Sequence, residues 1–597
     1  MIIQNKQSNN KKDFIFPKED SDFQFIQGQK YLWRLKKCDQ SVVNSIAYDH
    51  NLSVPIAQTL YSRGFLKKEE IFSFLFTSFE KDVANPKLFK GAQQALQRIE
   101  QAIEKNEKIL VFGDYDVDGI TSTSLLMICL LPLGVNINFY LPNRKKDGYG
   151  LSSKFVKKAA ENKYDLIITV DNGITANDAA KLAQKLGVDL IITDHHRPHG
   201  DLPPAIAIID ANQHDCLYPY KELAGVGIIF KIISMLYEKK NLSLSDKVYE
   251  LLMLGTVADV APLTSENRYW VQYGLNKVNK QKSIAIKVLA QNSKLIKKKF
   301  SSLDVGFMLA PQLNALGRLD DPRDAVKFLI SSDVQEVNRI GENLRKINKE
   351  RRRVDQRIYG EIERAILEKR INIDKENIIM AASEDWPAGV IGLVAGKLAQ
   401  NFGRPTFLFH AAGKGILKGS CRSIPEFNVF DALQENSDLL IRFGGHSFAA
   451  GLQLKQENLH EFKKRLEQKI KKELTPFDLK LKINLDSCLD FSELKQQLIS
   501  DLQRLEPFGN QNEQPAFFIK DVTLQKKPML LKDRHVKCFV FAQGVIKPVI
   551  FFNRPELYSV LNQIGDKSFS LAAYVEKNEW EGKTNIELKG LDIAISD

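Results

Sequence analysis

From Lys108 onward, short β-branched and aliphatic runs alternate with amphipathic stretches. KILVFG, NINFYLP, DLIITV, DLIIT and AIAII are separated by segments such as 175–186, whose apolar positions recur at helical spacing. That alternation predicts a parallel sheet with crossover helices. Helices are expected to dominate from about 224 to 370. Within that region Arg345 to Arg370 (RKINKERRRVDQRIYGEIERAILEKR) holds no proline and one glycine. Its apolar positions Ile347, Val354, Ile358, Ile362 and Ile366 lie four and seven apart, which fits one helical face. A long, basic connecting helix is predicted. A second mixed α/β stretch begins at Asn377 and runs to about 472 with glycine-rich turns. From about 480 the text turns β-rich: PAFFIKDVTL, HVKCFVFAQG, KPVIFFN, FSLAAYV and TNIELKGLDI predict about five strands of a small OB-like barrel. Residues 1 to about 90 carry helical patterning with aromatics (Tyr31, Trp33, Phe72, Phe76) and no cluster of chemical groups. They read as a leader and a small helical cap.

The expected fold class is therefore α/β, a parallel-sheet domain joined by a long helix to a second α/β domain, plus a C-terminal OB-like β-barrel. The boundaries follow the shifts in pattern: 1–90, 91–265, 266–372, 373–474 and 475–597. Length agrees, since 597 residues at roughly 150 per domain give about four domains. With 44% hydrophobic and 26% charged residues the chain should fold as a soluble protein. The longest apolar stretch, Leu125 to Val135, contains Pro132 and falls short of the ~20 residues a membrane span needs. Met1 to Lys12 is polar and does not read as a secretory signal, so a cytoplasmic protein with no membrane contact is expected. Six scattered cysteines without a CxxC argue against a disulfide framework or a thiolate zinc site. The net charge, 85 − 73 = +12, permits a polyanionic partner such as nucleic acid.

The chemistry is concentrated in three places. GDYDVDGITS puts Asp114, Asp116 and Asp118 directly after the strand KILVF, where the chain turns at Gly119 into a helix. Three nearby carboxylates repel one another unless a cation neutralises them. DLIITVDNG then places Asp171 after the next hydrophobic strand, and VDLIITDHHRPHG places Asp194, His195 and His196 after the one following. Strand C-terminal ends share one edge of an open α/β sheet, where ligands bind. An acidic loop or a His-His pair alone is commonly surface; three consecutive strand ends delivering such groups to one rim is a site. Asp259 in LGTVADVAP follows an apolar helix-like stretch and adds a fourth contribution. Carboxylates with imidazole and no thiolate suit Mn²⁺ or Mg²⁺. The carboxylates exceed what one ion needs, so two ions are expected, which together can generate hydroxide and clamp both reacting oxygens of a phosphodiester.

DYDVDG, VDNG, DHH and VADVAP, in this order, resemble the DHH phosphoesterase superfamily and within it the RecJ branch of single-strand-specific 5′ to 3′ DNA exonucleases, from about residue 50 to the C-terminus. The resemblance implies a DHH domain and a DHHA1 domain with the active site in the cleft between them. It implies Asp116, Asp118, Asp171, His195 and Asp259 as metal ligands, with Asp171 bridging and Asp114 as a further ligand. It assigns His196 to the scissile phosphate. Arg144 in LPNRKKDGYG and Arg318 in QLNALGRLDDP sit beside glycine or proline, where a guanidinium could fork onto phosphate. Ser420 and Arg422 in KGSCRS resemble a pocket for a 5′ phosphate. GGHSFAAG offers Gly445 for close backbone approach and His446 as a polar contact. One departure is Pro387, which stands in SEDWPAGVIG where the family commonly has histidine.

In the barrel, Phe517, Phe518, Phe539, Phe541, Tyr574 and Trp580 interleave with Lys526, Lys527, Lys532, Arg534 and Lys537. Such a mixture can stack bases and track a single-stranded backbone. The four phenylalanines lie in apolar strands and are assigned to the core, which leaves the Lys532–Lys537 loop as the DNA candidate. The leading expectation is a monomeric 5′ to 3′ exonuclease on single-stranded DNA that releases nucleotide 5′ monophosphates in repair and recombination, beside a helicase and a single-strand-binding protein. A dinucleotide phosphodiesterase of the same superfamily is the enzymatic alternative, disfavoured by the barrel and the basic helix. A catalytically silent DNA-binding scaffold is the other, disfavoured by the complete ligand set.

Overall fold

The structure is a computed structural model that describes residues 22–143, 147–413, 415–580 and 583–595. The chain forms two compact units, one of residues 73–479 with 505–514 and one of the N-terminal residues to 72 with 480–504 and 515–597. The larger unit contains a five-stranded parallel sheet in the order Ile137–Tyr140, Ile109–Gly113, Leu166–Val170, Asp189–Thr193, Ala207–Ile209. Ile109–Gly113 and Leu166–Val170 are buried at every position, as continuous aliphatic runs require when helices cover both faces.

The same unit carries a second five-stranded sheet, in the order Leu440–His446, Ala449–Lys455, Ile416–Arg422, Thr406–Ala411, Ile379–Ser383. Its last pair is parallel and the others antiparallel. The connecting helix spans Val334–Leu367, 34 residues or roughly 50 Å at 1.5 Å per residue. It begins before Arg345 because Asp333 caps it, accepting from the Gln335 N–H at 2.8 Å. Its first half (Val337, Ile340, Leu344) packs into the core of the parallel-sheet domain. Its second half (Ile358, Ile362) packs with Trp386, Val390, Ile391 and Leu398 of the second domain. The helix is thus shared by two cores. Of the region 266–372, expected as a separate helical segment with the connecting helix, buried residues from Trp270 to Leu344 share the first of those cores.

The smaller unit departs from the expected N-terminal helical cap. Phe23–Gln27 and Leu32–Lys36 form an antiparallel pair, and Leu32–Lys36 also pairs in parallel with Lys482–Leu485. Helices begin only at Gln40. The barrel has the five expected strands, Ala516–Leu524, His535–Ala542, Val545–Phe551, Phe569–Trp580 and Lys583–Ala594, and closes where Thr523 and Leu524 meet Phe541 and Val540. Buried Asp592 ties the N-terminal strands to it, accepting from Tyr31 N at 3.0 Å, Trp33 Nε1 at 3.1 Å and Arg554 Nη2 at 3.0 Å.

The assignment of all four barrel phenylalanines to the core is corrected here. Phe517 is fully buried and Phe518 partly so. In His535–Ala542 the pleat turns Val536, Cys538, Val540 and Ala542 inward, which puts Phe539 and Phe541 on the other face. Lys526 and Lys537 lie 5.3 and 5.7 Å from the Phe539 ring. The six cysteines form no disulfide. Among the described residues no helix is long and apolar enough to cross a membrane.

Candidate metal centre and cleft

All the predicted carboxylates stand at or next to the ends of regular elements. Asp116 caps the helix Val117–Leu130, accepting from Asp118 N at 3.0 Å and Gly119 N at 3.2 Å. Asp118 is buried in the first turn of that helix and accepts from Gly225 N at 2.5 Å and Val226 N at 2.8 Å, the N-terminus of the helix Gly225–Lys239. A Cβ on Gly225 would lie 2.8 Å from the Asp171 Cβ and 2.9 Å from Asp118 Oδ2, so only glycine lets that helix approach both carboxylates. Asp171 follows Leu166–Val170 with φ of 61°, a left-handed conformation that non-glycine residues adopt rarely and that collects at functional sites. Asp259 follows the helix Asp246–Ala258.

His195 joins these groups, its Nε2 3.2 Å from Asp171 Oδ1 and 3.8 Å from Asp118 Oδ2, its Nδ1 3.9 Å from Asp259 Oδ2. Three triplets of donor atoms gather within 4.8 Å: Asp171 with His195 and His196, Asp118 with His195 and Asp259, and Asp114 with Asp116 and Asp171. Asp171 and His195 each belong to two of them. Burial, and then the charges of Asp118, Asp116 and Asp114, push the Asp171 carboxyl well above its ordinary range. Burial followed by Asp116 pushes Asp118 up to about 7. This hard, self-repelling set of oxygen and imidazole donors fits divalent cations such as Mn²⁺ or Mg²⁺, and its overlapping triplets fit two.

The two histidines are driven apart. Burial, then neighbouring His196, lowers His195 to about 4, which leaves a neutral imidazole suited to a metal. Burial alone would lower His196 too, but the hydrogen bond and charge of Asp194 outweigh it and raise the ring to about 9. Asp194 Oδ1 meets His196 Nδ1 at 2.7 Å, while Asp194 also accepts from Ile174 N at 2.9 Å and His195 N at 2.8 Å. Asp194, at the rim in the sequence but without a role there, orients the His196 ring and holds the backbone N–H groups of both histidines. Tyr149 was passed over as well. Its ring stands edge-on to His196, 6.2 Å between centroids. The only sequence signal was an aromatic between two glycines.

A cleft of about 210 Å³ opens over His195, His196 and Asp259 and is closed on its far side by His446 of the second domain. Gly445 beside it has φ of 145°, and a Cβ there would lie 2.5 Å from Ala450 Cα, so the residue has to be glycine. Arg318 lies inside the helix Ala310–Leu319 and not in a turn, and its Nη1 donates to Gly389 O at 3.1 Å. Arg422 donates through Nη1 to Ser420 Oγ at 3.2 Å, and a Cβ on Gly392 would lie 2.8 Å from that Oγ. Arg318, Ser420 and Arg422 therefore gather at the first turns of the helix Ala388–Phe402, which Pro387 precedes. Two guanidiniums beside a helix N-terminus make an anion pocket. Arg144 lies outside the described residues.

Beneath the rim, Asp210 is fully buried, and its Oδ1 accepts from Asn212 N at 2.7 Å. Burial raises its carboxyl to about 7. A folded-state value above the ordinary 3.8 favours folding while the group is protonated, and that contribution is lost as pH rises through about 7. Asp210→Asn should therefore stabilise the protein increasingly from about pH 5 to about pH 7.5, reaching a few kcal/mol at ~1.4 kcal/mol per pH unit. Urea midpoints of the two proteins at both pH values check this; equal midpoints at the higher pH contradict it.

Three family models match the chain: the DHH family N-terminal domain over residues 108–256, the DHHA1 domain over 375–472 and the RecJ OB domain over 485–592. The chain is 34% identical over 570 residues to the single-stranded-DNA-specific exonuclease RecJ of Bacillus subtilis, covering 95% of this chain and 71% of that protein. It is 32% identical over 557 residues to the protein of the same name from Escherichia coli, covering 89% and 95%. Among solved structures, RecJ from Thermus thermophilus in complex with Mn²⁺ superposes with a TM-score of 0.79 at 26% identity, covering 95% of this chain and 80% of that one.

Proposed function

The chain belongs to the RecJ family of single-stranded-DNA-specific exonucleases, and on that premise we propose how its cleft works. The protein is a metal-dependent nuclease that hydrolyses phosphodiester bonds of single-stranded DNA, from the 5′ end, releasing nucleotide 5′ monophosphates. The observation that carries this reading is that three donor triplets overlap through Asp171 and His195, with His195 and Asp259 lining a cleft. Divalent ions held by Asp114, Asp116, Asp118, Asp171, His195 and Asp259 would supply a nucleophile from water near neutral pH and offset charge on the reacting phosphate.

The chain's own groups do the rest. His196, fixed through Nδ1 by Asp194, has Nε2 left for a phosphate oxygen. Arg318, Ser420 and Arg422 hold the terminal 5′ phosphate at the helix Ala388–Phe402, so cleavage is measured from that end. Arg144 belongs to this phosphate-binding set by its basic, turn-flanked sequence. Gly445 and His446 bring backbone and a ring against the strand. The barrel presents Phe539 beside Lys526 and Lys537, which supports a single-stranded nucleic acid as its ligand. The chemistry of the substrate supports a cytoplasmic enzyme working beside a helicase, which supplies single strands, and a single-strand-binding protein in repair and recombination.

With Mn²⁺, long single strands should be degraded far faster than blunt duplex or a dinucleotide. A preference for the dinucleotide would instead favour the small-substrate phosphodiesterase. Arg422→Ala should raise KM for 5′-phosphorylated strands roughly 10- to 100-fold, the worth of a charge-assisted contact of about 1.5–3 kcal/mol, while strands ending in a 5′ hydroxyl lose little. Equal losses on both strands in steady-state assays would remove Arg422 from the phosphate pocket.

A further inference from the structure

The residue after Asp259 is the least comfortable in the cleft wall. Val260 has φ of 60°, a left-handed backbone that a β-branched side chain strongly disfavours. Val260 also lines the cleft. Such a conformation persists only where surrounding contacts over-determine it. Within its own helix the turn is held by bonds from Asp259 N to Gly255 O at 2.9 Å, from Val260 N to Val257 O at 3.2 Å and from Ala261 N to Thr256 O at 3.3 Å. None of these engages the Val260 carbonyl.

That carbonyl is held from a distant part of the sequence. Asn510 Nδ2 donates to Val260 O at 2.8 Å, and Asn510 O accepts from Leu263 N at 2.9 Å. One residue thus brackets the turn 260–263 with both its side chain and its backbone. Asn510 is itself fixed. Gly509 and Asn512 exchange backbone hydrogen bonds at 2.8 and 3.0 Å around it. Leu505 O accepts from Arg268 Nη1 at 2.8 Å, and Phe508 O accepts from Ser302 Oγ at 2.6 Å. A Cβ on Gly509 would lie 2.6 Å from Leu263 Cδ1, so the loop sits hard against the turn. Residues 505–514 belong to the nuclease unit although the sequence on either side of them belongs to the other.

We infer that Asn510 is a positioning residue for the nuclease reaction: it locks the Asp259–Val260 turn in its left-handed form and so aims the Asp259 carboxylate at His195 and the metal. Losing the lock lets Val260 relax to an ordinary conformation, which swings the preceding carboxylate out of the donor set. This inference rests on the metal-centre reading above. Groups that orient a metal ligand typically change affinity or activity about 10- to 100-fold when removed.

The test uses the full chain and Mn²⁺ as the probe. Asn510→Ala removes the donor, and Asn510→Asp keeps the volume while replacing the donor by an acceptor. Calorimetric titration of each metal-free protein with Mn²⁺ should give weaker binding than wild type by about tenfold or more in both variants. kcat on single-stranded DNA should fall in step, with KM for DNA and the melting temperature of the metal-free protein within error of wild type. Wild-type Mn²⁺ affinity in Asn510→Asp overturns the inference, and so does a fall in kcat that only follows a fall in melting temperature. Should Asn510→Ala not fold, the isosteric Asn510→Asp decides alone. Absence of Mn²⁺ binding in the wild type would overturn the metal-centre reading itself, which separates the two failures.

Discussion

Asp171→Asn should abolish exonuclease activity while leaving the fold intact. The side chain is buried, sits at the end of a central strand and belongs to two of the three donor triplets. Its loss therefore weakens both the binding of cations and the placement of His195, 3.2 Å away. Changes one shell further out cost about 10- to 100-fold, so a shared donor should cost at least the upper end of that range in kcat. Stability moves the other way. In the metal-free protein Asp171 is repelled by Asp118, Asp116 and Asp114, and the neutral amide removes that repulsion at nearly constant shape. Melting without metal should be unchanged or higher. The rise that Mn²⁺ gives the wild type, about 2.7 kcal/mol at 100 times its Kd, should shrink in the variant. Activity assays and melting curves with and without Mn²⁺ check both halves. A variant that melts early without metal would give Asp171 a structural role in the strand turn and contradict the assignment.

Lys231→Met should destabilise the nuclease core by about 3–5 kcal/mol. Lys231 and Glu266 form a buried ion pair, with both side chains almost inaccessible. Lys231 Nζ also donates to Ala84 O at 2.9 Å, while Glu266 accepts from Tyr218 OH at 2.6 Å and Trp270 Nε1 at 3.1 Å. Burial lowers the lysine pKa and Glu266 opposes it. Removing only the cation leaves a buried carboxylate without its counter-charge, and that desolvated charge supplies most of the cost. A Lys231→Met/Glu266→Gln double variant should recover most of the loss, because the amide oxygen can still accept from Trp270 Nε1 while its NH2 donates to the Tyr218 hydroxyl, which can turn to accept. Lys231 lies on the helix whose first N–H groups hold Asp118, so the single variant should lose metal-induced stabilisation as it loses stability. Denaturant midpoints of wild type, single and double variants measure this, and a double variant no better than the single one contradicts the ion-pair account.

The parallel sheet and the gathering of most candidate metal donors at its edge were legible because they obey local rules. A fully aliphatic run ending in Asp is a buried strand with a carboxylate at its C-terminal end, and three such runs in succession share a rim. What escaped depended on partners remote in sequence. Leu32–Lys36 pairs with the nearby Phe23–Gln27 and, on its other edge, with Lys482–Leu485, and no local pattern carries the second pairing. The aromatic-rich text around it fits a helix as readily. The outward turn of Phe539 and Phe541 could have been read, since the small and aliphatic positions Cys538, Val540 and Ala542 alternate with them. Hydrophobicity alone sent all of them to the core. The glycine and proline near Arg318 suggest irregular backbone, yet both Gly317 and Arg318 lie within a helix, and position 317 is glycine because a Cβ there would meet the Tyr115 backbone. The role of Asp194 was hidden by the histidines that follow it, and that of Asn510 by the 250 residues that separate it from Val260.

The central claim is that a single strand is held by its 5′ end and cut one nucleotide at a time at the Asp171 centre. The most direct measurement follows the products of an internally labelled single strand with Mn²⁺ from the first turnovers, with either its 5′ or its 3′ terminus blocked by a bulky group. The account predicts mononucleotide 5′ monophosphates from the outset, full protection by the 5′ block and none by the 3′ block. Internal fragments, or protection by the 3′ block alone, would contradict it.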